Sequence, residues 1–233
     1  MIGKITSWSY SRYACYEECP LKAKLKFVDK IKEPSAPAMA RGNNIHKLAE
    51  GYTKGLDYVT IEEDGVSKQV FTKKLPPELK LFADQFKELK KSKPVVEETW
   101  AFRKDWSQTT WDDWNGCWVR IKTDAACLDG DTLYVIDHKT GKHREGYHTQ
   151  MSLYALGAML MYPTVKTVNT QLWFLDHGTD ETAEFTSDEF SALKKDWEKR
   201  VTPMLNDTRF APKPGNGCRF CHFSKAKGGP CKY

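Results

Sequence analysis

The sequence predicts an α/β fold in which a mixed central sheet is flanked by helices. The chain has 233 residues, of which 40% are hydrophobic, and this is enough for one domain with a substantial core. Strands predicted near 95–104, 117–128 and 132–138 lie between two helical segments, and a further strand follows near 166–176. Asp129-Gly130-Asp131 separates two apolar runs and is therefore a strong hairpin signal.

The remaining elements are predicted from caps, breakers and apolar spacing. Thr186, followed by Glu189 three residues later, is a capping-box pattern, so a helix is expected over about 187–205. Pro34 and Pro37 place a loop between the N-terminal helices and the next helix. The other predicted elements are a strand-like segment near 57–72 and helices near 9–18, 20–28, 39–54, 76–91 and 146–161.

Three charged residues on neighbouring strands form the most informative pattern in the chain. Asp124 lies in the strand before the Asp129-Gly130 turn, and Asp137 ends the strand after it. The two carboxylates can be close in space on adjacent antiparallel strands, and Asp137 and Lys139 share one face because side chains alternate along a strand. A single Asp-x-Lys pattern is more often a solvated strand end, so the surrounding residues must distinguish the two interpretations.

Two carboxylates beside an ammonium group are suited to phosphodiester hydrolysis. Mg²⁺ and Mn²⁺ prefer oxygen ligands and keep several waters when few protein groups bind them. Such an ion polarises a phosphate and lowers the pKa of a bound water, which gives a nucleophile near neutral pH. A lysine alongside can orient that water and offset the charge that develops on the phosphoryl oxygens.

Four short motifs follow one another along the chain. They are Gly-x-x-x-His at 42–46, the single Asp124, Asp-x-Lys-Thr-Gly at 137–141 and Gln-x-x-x-Tyr at 150–154. With these motifs in this order, the chain resembles the PD-(D/E)XK nuclease superfamily over most of its length, in particular the RecB-like branch. That branch includes nuclease domains of bacterial recombination helicase–nucleases, the AddB-type domains among them, and the small CRISPR-adaptation nucleases. The resemblance implies a restriction-endonuclease-like fold.

The resemblance implies a set of ligands for the divalent ion. His46, Asp124 and Asp137 would bind it, together with His138 through its backbone carbonyl. Histidine is a common metal ligand when neutral, although a single helix histidine is more often a satisfied core residue. Thr123 replaces the proline that names the superfamily, and His138 stands where the branch often has a bulkier apolar or aromatic residue.

The resemblance also implies a catalytic role for three side chains beyond the carboxylates. Lys139 would position the attacking water. Gln150 and Tyr154 lie one helical turn apart on one face, and they would orient the lysine or the DNA. A tyrosine on a helix is otherwise usually a half-buried core residue.

Seven cysteines form the second informative set, at positions 15, 19, 117, 127, 218, 221 and 231. No signal peptide is evident, so a cytoplasmic location is expected, where cysteines more often bind metals than form disulfides. Cys218, Cys221 and Cys231 lie in a C-terminal segment that is rich in Gly and Pro and has little apolar periodicity. Such a segment needs a staple in order to fold, which metal-bound thiolates can supply.

Iron–sulfur members of the same branch resemble this arrangement, with one N-terminal cysteine before a proline and a C-terminal triplet. The resemblance implies a four-iron, four-sulfur cluster bound by Cys19, Cys218, Cys221 and Cys231. Cys15, four residues before Cys19, is the competing N-terminal ligand. Zn²⁺ is the alternative metal, and His222 keeps a Cys₃His site open. The nine residues between the last two cysteines exceed the gap that is usual in the family.

Charge is distributed unevenly along the chain. Residues 1–47 contain nine Lys and Arg against four Asp and Glu, residues 48–189 contain 17 against 24, and residues 190–233 contain ten against three. Basic ends around an acidic metal centre attract phosphates, so DNA is the expected partner. Aromatic residues among these cations could stack on single strands or belong to the core. They are Trp8, Tyr10, Tyr13, Tyr16, Phe220, Phe223 and Tyr233.

Together these observations predict a Mg²⁺- or Mn²⁺-dependent deoxyribonuclease, and an exonuclease is favoured over an endonuclease. The resemblance further implies a place in DNA recombination, repair or phage DNA processing, with a helicase, annealing or recombination protein as a partner. No membrane association is expected. The alternatives are an endonuclease of the same fold and a non-catalytic DNA-binding or scaffold module with a cysteine metal site.

A single domain is expected over residues 1–233. The predicted nuclease core occupies about 39–176, while 1–38 and 187–233 would form a helical, metal-cluster lobe stapled by cysteines. The segment from Trp106 to Trp114 lengthens the first predicted hairpin. It could contact substrate or simply pack, and the sequence leaves both interpretations open.

Overall fold

Nine strands and six α-helices make up the described part of this computed structural model, which covers residues 3–34, 36–141, 143 and 146–233. The strands are β1 (Tyr58–Glu63), β2 (Val66–Phe71), β3 (Val95–Val96), β4 (Thr99–Phe102), β5 (Val119–Lys122), β6 (Ala125–Asp129), β7 (Thr132–Lys139), β8 (Thr167–Phe174) and β9 (Thr179–Thr186). The helices are α1 (Tyr10–Glu18), α2 (Pro20–Ala23), α3 (Pro37–Lys54), α4 (Ala83–Lys91), α5 (Tyr147–Met161) and α6 (Phe190–Asn206). A π-helical turn (Lys24–Val28) extends α2, and 3₁₀ turns precede α4 (Pro77–Phe82) and α6 (Ser187–Glu189).

Five strands form a mixed central sheet in the order β3-β6-β7-β8-β9, which confirms the predicted fold class. Strands β7 and β8 run parallel, and the other neighbours run antiparallel. Asp129 pairs with Thr132 in the β6–β7 hairpin, and Gly130 between them has a φ of 60°. A glycine adopts this left-handed conformation without strain, so the predicted hairpin forms where the Asp-Gly signal lies. Strand β1 pairs with β2, and β4 with β5, in two further ladders.

Helices pack on the sheet through alternate residues of β7. Ile136 belongs to a hydrophobic core that α3 and α4 complete with Ile45 and Phe86. The side chains of Asp137 and Lys139 instead contact α5. Because successive side chains of a strand point to opposite faces, α3 and α4 cover one face of the sheet and α5 the other.

The predicted helices are confirmed with small shifts at their ends. Helix α3 begins at Pro37 rather than near residue 39, since proline is well tolerated in the first turn of a helix. Thr186 and Glu189 form the expected capping box, in which the Thr186 N–H donates to the Glu189 carboxylate at 2.8 Å. Among the described residues, no helix combines the length and apolarity needed to cross a membrane.

Two strands that were expected to be continuous are each interrupted. The predicted strand at 117–128 breaks at Thr123 and Asp124, and the preceding predicted strand breaks at Glu97 and Glu98. The Thr123 N–H donates to the carbonyl of Glu98, and the Glu97 N–H donates to the carbonyl of Asp124, both at 3.0 Å. The expectation of continuous strands was wrong because residue alternation does not indicate where a strand leaves one ladder and joins another.

The sequence interpretation also missed strand β9 and a hairpin. Strand β9 pairs antiparallel with β8 through a turn that contains Gly178, whose φ is 66°. Its sequence is mostly polar and only Phe185 is buried, so the strand lacks the apolar alternation that would predict it. The strand-like segment at 57–72 is the β1–β2 hairpin, which turns at Asp64-Gly65.

The chain divides into two compact units. We call the first the cysteine unit, and it comprises Met1–Ser35, Ala101–Arg120 and Lys194–Tyr233. Its core contains Trp8 stacked on Trp197, with ring centroids 5.3 Å apart, and edge-on contacts to further aromatic rings. We call the second the sheet unit, and it comprises Ala36–Trp100 and Ile121–Leu193.

Candidate metal centre and cysteine cavity

The sheet unit brings the four motifs of the sequence together at the end of strand β7. Helix α3 presents His46, and the break before β6 presents Asp124. The last residues of β7 are Asp137, His138 and Lys139, and α5 supplies Gln150 and Tyr154. The described side chains of these residues form two groups, one around Asp124 and one around Asp137. The end of β7 links them, because the backbone of His138, next to Asp137, contacts Asp124.

Gly42 allows α3 to approach the end of β7. A Cβ atom at this position would lie 3.0 Å from the Oγ1 of Thr140, closer than ordinary van der Waals contact. Thr140 directly follows Lys139, so a side chain at position 42 would press against the residue that follows β7. This gives a physical reason for the glycine that precedes the histidine by four residues.

The carboxylate of Asp124 joins α3 to the end of β7. Its Oδ1 lies 3.0 Å from Nδ1 of His46, and its Oδ2 accepts a 2.6 Å hydrogen bond from the backbone N–H of His138. The Nδ1 of His138 lies 3.7 Å from the same oxygen. Asp124 therefore has both oxygens directed at groups from other elements, as its interrupted strand permits.

The donor atoms around Asp124 fit a divalent cation. One ligand atom from each of His46, Asp124 and His138 lies within 4.8 Å of the others. Octahedral Mg²⁺ or Mn²⁺ has ligands at about 2.1 Å, so two neighbouring ligands at right angles are about 3.0 Å apart. The separation of His46 Nδ1 and Asp124 Oδ1 has this value. The carboxylate oxygen suits both Mg²⁺ and Mn²⁺, which complete their coordination with water, whereas an imidazole nitrogen is a less typical ligand for Mg²⁺.

The protonation states around Asp124 follow from burial and from the neighbouring charges. Burial lowers the pKa of His138 to about 4, so this imidazole is neutral near pH 7. Burial alone would raise the pKa of Asp124, but the hydrogen bonds from His46 and from the His138 backbone lower it. Burial would lower the pKa of His46, whereas Asp124 and the charge of Asp137 raise it. The site thus holds negative charge that a cation can neutralise.

A second group of hydrogen bonds fixes Asp137 and Lys139. Lys139 Nζ lies 2.6 Å from Asp137 Oδ2 and donates to Gln150 Oε1 at 2.9 Å. The Tyr154 hydroxyl donates to Asp137 Oδ1, and Gln150 Nε2 donates to that hydroxyl at 2.7 Å. The Gln-x-x-x-Tyr spacing thus places two polar groups on one face of α5, where both reach the strand end.

Asp137 is a buried carboxylate whose charge depends on its neighbours. Burial raises the pKa of Asp137, the charge of Asp124 raises it further, and Lys139 opposes both effects. Burial beside Asp137 also raises the pKa of Tyr154, so the tyrosine hydroxyl remains a proton donor to the carboxylate.

The side chain of His138 lies in the core, with 4% of the residue exposed. Its ring centroid lies 5.2 Å from that of Phe86 and 5.7 Å from that of Trp173. The imidazole therefore packs among aromatic rings of the core. Its backbone N–H meanwhile contacts Asp124, so one residue serves both packing and the site.

Two residues near the site were not singled out from the sequence. Lys139 Nζ lies 5.5 Å from the ring centroid of Tyr147, which is one turn before Gln150 on α5. That spacing is the signal that could have identified Tyr147. Glu97 has a left-handed φ of 59°, and its negative charge helps to raise the pKa of His46. Only the tertiary structure places it there.

In the cysteine unit, four cysteines line one cavity of about 190 Å³. They are Cys19, Cys218, Cys221 and Cys231, and the remaining lining includes Leu21, Leu25 and Phe223. Cys15, the competing N-terminal residue, is not among the residues that line the cavity, and burial raises the pKa of its thiol to about 11. His222 is exposed and does not line the cavity either.

The chain doubles back after Cys221, which brings Cys231 to the cavity despite the long gap. Ser224 and Cys231 form a β-bridge, and the Cys231 N–H donates to the carbonyl of Phe223 at 2.9 Å. A Cβ atom at Gly229 would lie 2.3 Å from the carbonyl carbon of Phe223, so this reversal requires glycine. The nine intervening residues therefore form a closed turn.

Several aromatic residues proposed for stacking belong to the core of the cysteine unit instead. Trp8, Tyr13 and Phe223 are buried, with 1%, 8% and 2% of the residue exposed. For these three residues the core alternative holds: Trp8 and Tyr13 pack against the ring of Trp197, and Phe223 lines the cysteine cavity. Phe220 and Tyr233 are exposed, as stacking would require.

Comparison with solved structures identifies similar folds at low sequence identity, whereas no curated protein matches the chain. The protein SSO0001 has a TM-score of 0.50 and 14% identity, covering 100% of this chain and 90% of that chain. A candidate exonuclease from Eubacterium rectale has a TM-score of 0.48 and 10% identity, covering 96% of this chain and 87% of that chain. The likeness to SSO0001 supports the fold alone.

Comparison with protein families confirms the superfamily that the motifs predict. The model of a family described as the PD-(D/E)XK nuclease superfamily matches residues 7–226, which is nearly the whole chain. The chain therefore belongs to the PD-(D/E)XK nuclease superfamily, whose members are metal-dependent nucleases.

Proposed function

We propose that the protein is a divalent-metal-dependent DNA exonuclease of the RecB-like branch. The observation that supports this proposal best is the linked set at the end of β7. There Asp124 meets His46, and Asp137 meets Lys139, within one unit. Both carboxylates and the lysine are present, whereas loss of any of the three would favour a non-catalytic module.

We propose His46, Asp124 and Asp137 as ligands of Mg²⁺ or Mn²⁺, with the backbone carbonyl or the imidazole of His138 as a further donor. When bound, the ion would polarise the scissile phosphate and lower the pKa of a water. The His138 backbone N–H holds one oxygen of Asp124 in place and leaves its other oxygen beside His46. The carboxylate thus needs little reorientation to act as a ligand.

Lys139 is proposed to hold the attacking water through Nζ. In the hydrolysis, a bond forms between the water oxygen and phosphorus while the bond to the leaving sugar oxygen breaks, and one water proton ends on that oxygen. Gln150 and Tyr154 keep Lys139 and Asp137 in place through their hydrogen bonds. Preorganised groups of this kind lower the barrier because they do not reorient during the reaction.

We further propose that Cys19, Cys218, Cys221 and Cys231 bind a four-iron, four-sulfur cluster. A single Zn²⁺ with thiolates at about 2.3 Å would draw its four sulfurs together around one ion. The four cysteines line one cavity of about 190 Å³, which leaves room for a cluster beside the thiolates. The cluster would act as a structural staple of a segment that is poor in apolar residues.

The biological setting of the proposal is DNA recombination, repair or phage DNA processing. A helicase, annealing protein or recombinase would supply ends to an enzyme of this kind. Support for this step comes from the motif resemblance to the RecB-like branch.

The proposed catalysis is tested with Lys139→Ala in an assay of labelled single- and double-stranded DNA with Mg²⁺ and with Mn²⁺. Loss of one preorganised charged group should reduce the rate about 100- to 1,000-fold. Lys166→Ala is the matched control, because Lys166 belongs to the same unit and forms an exposed ion pair with Asp131. Equal degradation by wild type and Lys139→Ala would contradict the catalytic assignment.

The exonuclease assignment is tested by comparing linear and covalently closed circular DNA of the same sequence. An exonuclease requires an end, so only the linear form should be degraded, and labels at each end give the polarity. Cleavage of the circular form would instead assign an endonuclease.

The cluster is tested on anaerobically purified protein by visible absorbance and by iron and zinc content. Iron with visible absorbance is expected, and both should be lost in Cys221→Ser but retained in Cys127→Ser. Cys127 is a suitable control because it lies on β6 in the sheet unit. Colourless protein with one equivalent of zinc would contradict the cluster and favour a zinc site.

A further inference from the structure

An exposed tryptophan lies in the loop that connects β4 with β5. Trp114 is 81% exposed, more than any other large hydrophobic residue described as exposed, and Trp111 in the same loop is 37% exposed. Exposure of so large an aromatic side chain costs free energy unless a partner covers it. Trp114 is therefore a feature that the proposed catalysis does not explain.

The loop holds this tryptophan on a rigid support. The carboxylate of Asp113 accepts hydrogen bonds from the Gly116 N–H at 2.8 Å and from the Thr109 hydroxyl at 2.6 Å, and it pairs with Arg103 at 2.7 Å. A Cβ atom at Gly116 would lie 2.4 Å from an Arg103 nitrogen, so the turn is closely packed. A preorganised loop loses little conformational entropy when a ligand binds to it.

Two arginines accompany the tryptophan. The guanidinium carbon of Arg120 lies 5.2 Å from the ring centroid of Trp114 and 5.7 Å from that of Trp111. Its Nε donates to the carbonyl of Trp111 at 2.9 Å, which fixes its position. Arg12 lies nearby, because the Arg120 N–H donates to the carbonyl of Trp8 at 2.9 Å and the Arg12 guanidinium donates to the carbonyl of the preceding Ser7 at 2.8 Å.

Neither arginine is neutralised by a carboxylate among the described residues. Arg12 donates to the backbone carbonyl and the hydroxyl of Ser7, and Asp113 is occupied by Arg103. The cysteine unit as a whole contains 20 Lys and Arg against 10 Asp and Glu. Two guanidinium groups with free hydrogen-bond capacity form a site for phosphate, and Arg suits this role because its donors are arranged as a planar fork.

We propose that Trp114, Arg120 and Arg12 form a subsite for one nucleotide of single-stranded DNA. An unpaired base would stack on Trp114, and the adjoining phosphates would bind the two guanidinium groups. Stacking requires an exposed base face, which duplex DNA offers only at its ends, so the subsite selects single strands. This inference rests on the proposed function for its choice of DNA as the ligand.

The test measures binding of a fluorescently labelled oligothymidine and of a duplex of equal length, in a chelator that prevents hydrolysis. Trp114→Ala should weaken single-strand binding about tenfold, since one stacked base contributes on this scale, and should change duplex binding much less. Arg120→Gln should also make the plot of log affinity against log salt less steep by about 0.7, because one phosphate contact is lost.

Matched controls separate the subsite from general surface effects. Tyr58→Ala removes a 57% exposed aromatic side chain from the sheet unit, and Arg209→Gln removes an exposed cation from the cysteine unit. Both controls should bind oligothymidine as the wild type does. The proposal would be overturned if Trp114→Ala bound oligothymidine as tightly as the wild type does. It would also be overturned if the wild-type protein bound oligoglutamate but not oligothymidine.

The binding result is distinguishable from the outcome of the nuclease assay. If Lys139→Ala retains wild-type degradation but Trp114→Ala loses single-strand binding, the catalytic assignment fails and the subsite stands. If Lys139→Ala is inactive and Trp114→Ala binds normally, the nuclease stands and the subsite fails.

Discussion

At the scale of single residues, the candidate metal centre depends on two buried carboxylates that neighbouring groups hold in place. Asp124 uses both oxygens, and Asp137 is held by Lys139 and Tyr154. A buried carboxylate without such partners would cost several kcal/mol. Substitutions here should therefore affect stability and activity to different extents, because some of these groups support the site without binding the ion.

Gly42→Ala should reduce activity while leaving the fold intact. The added Cβ would lie 3.0 Å from Thr140 Oγ1 and would displace the residue next to Lys139. A shift of about 1 Å in a catalytic group can cost about 100-fold in rate. Alanine also has a higher helix propensity than glycine by about 1 kcal/mol, which should offset the strain of the close contact. The free energy of unfolding in urea should therefore change little.

The control for this prediction is the double variant Gly42→Ala/Thr140→Ala. Removing the Thr140 hydroxyl relieves the close contact, so activity should recover above that of the single variant. If the single variant already has wild-type activity, close approach at Gly42 does not position the site.

Tyr154→Phe should destabilise the metal-free protein by about 1–3 kcal/mol, the cost of leaving a buried acceptor without its donor. Asp137 Oδ1 would then keep only the 3.5 Å contact with Gln150. Chemical denaturation in a metal-free buffer measures the difference. Tyr134→Phe on the same strand is the control, and it should change stability by less than half as much.

At the scale of elements, interruptions of regular structure position the functional groups. The break between β5 and β6 frees Asp124 from a continuous ladder, and backbone hydrogen bonds to Glu97 and Glu98 stabilise that break. The reversal at Gly229 likewise brings Cys231 to the cysteine cavity. In both places an irregular stretch of chain positions a proposed ligand, Asp124 in one case and Cys231 in the other.

Glu189→Ala tests the capping box that begins the last helix. The Glu189 carboxylate accepts from the Thr186 N–H at 2.8 Å, and its loss leaves that donor to water. Loss of a helix cap typically costs about 1 kcal/mol, so the urea midpoint should fall with an unchanged slope. Asp188→Ala removes a neighbouring acid that makes no cap contact, and a loss as large as that of Glu189→Ala would contradict the capping role.

At the scale of the whole molecule, charge differs between the two units. The cysteine unit contains 20 Lys and Arg against 10 Asp and Glu, while the sheet unit contains 16 against 21. The acidic unit contains the candidate metal centre, and the basic unit contains the cysteine cavity and the proposed nucleotide subsite. This division suits a protein that concentrates a cation in one unit and phosphates on the other.

Divalent metal should stabilise the folded protein, because the ligands of the candidate site come together only in the folded chain. Mn²⁺ at about 100 times its Kd should raise the free energy of unfolding by about 2.7 kcal/mol, which a thermal melt would record as a rise in Tm. Asp124→Asn should abolish most of that rise, whereas Asp131→Asn, at an exposed turn, should not. A metal-induced rise of equal size in Asp124→Asn would place the ion elsewhere.

The sequence by itself determined the family, the α/β class, the β6–β7 hairpin and the capped last helix. Each of these depends on local signals such as Asp129-Gly130, the Thr186–Glu189 pair and the order of short motifs. The tertiary structure decided the rest. Sequence spacing could not show the break at Asp124, strand β9, the exclusion of Cys15 from the cavity or the meeting of Trp114 with Arg120. These features depend on how side chains and strands pack in three dimensions, and local propensity carries no information about that packing.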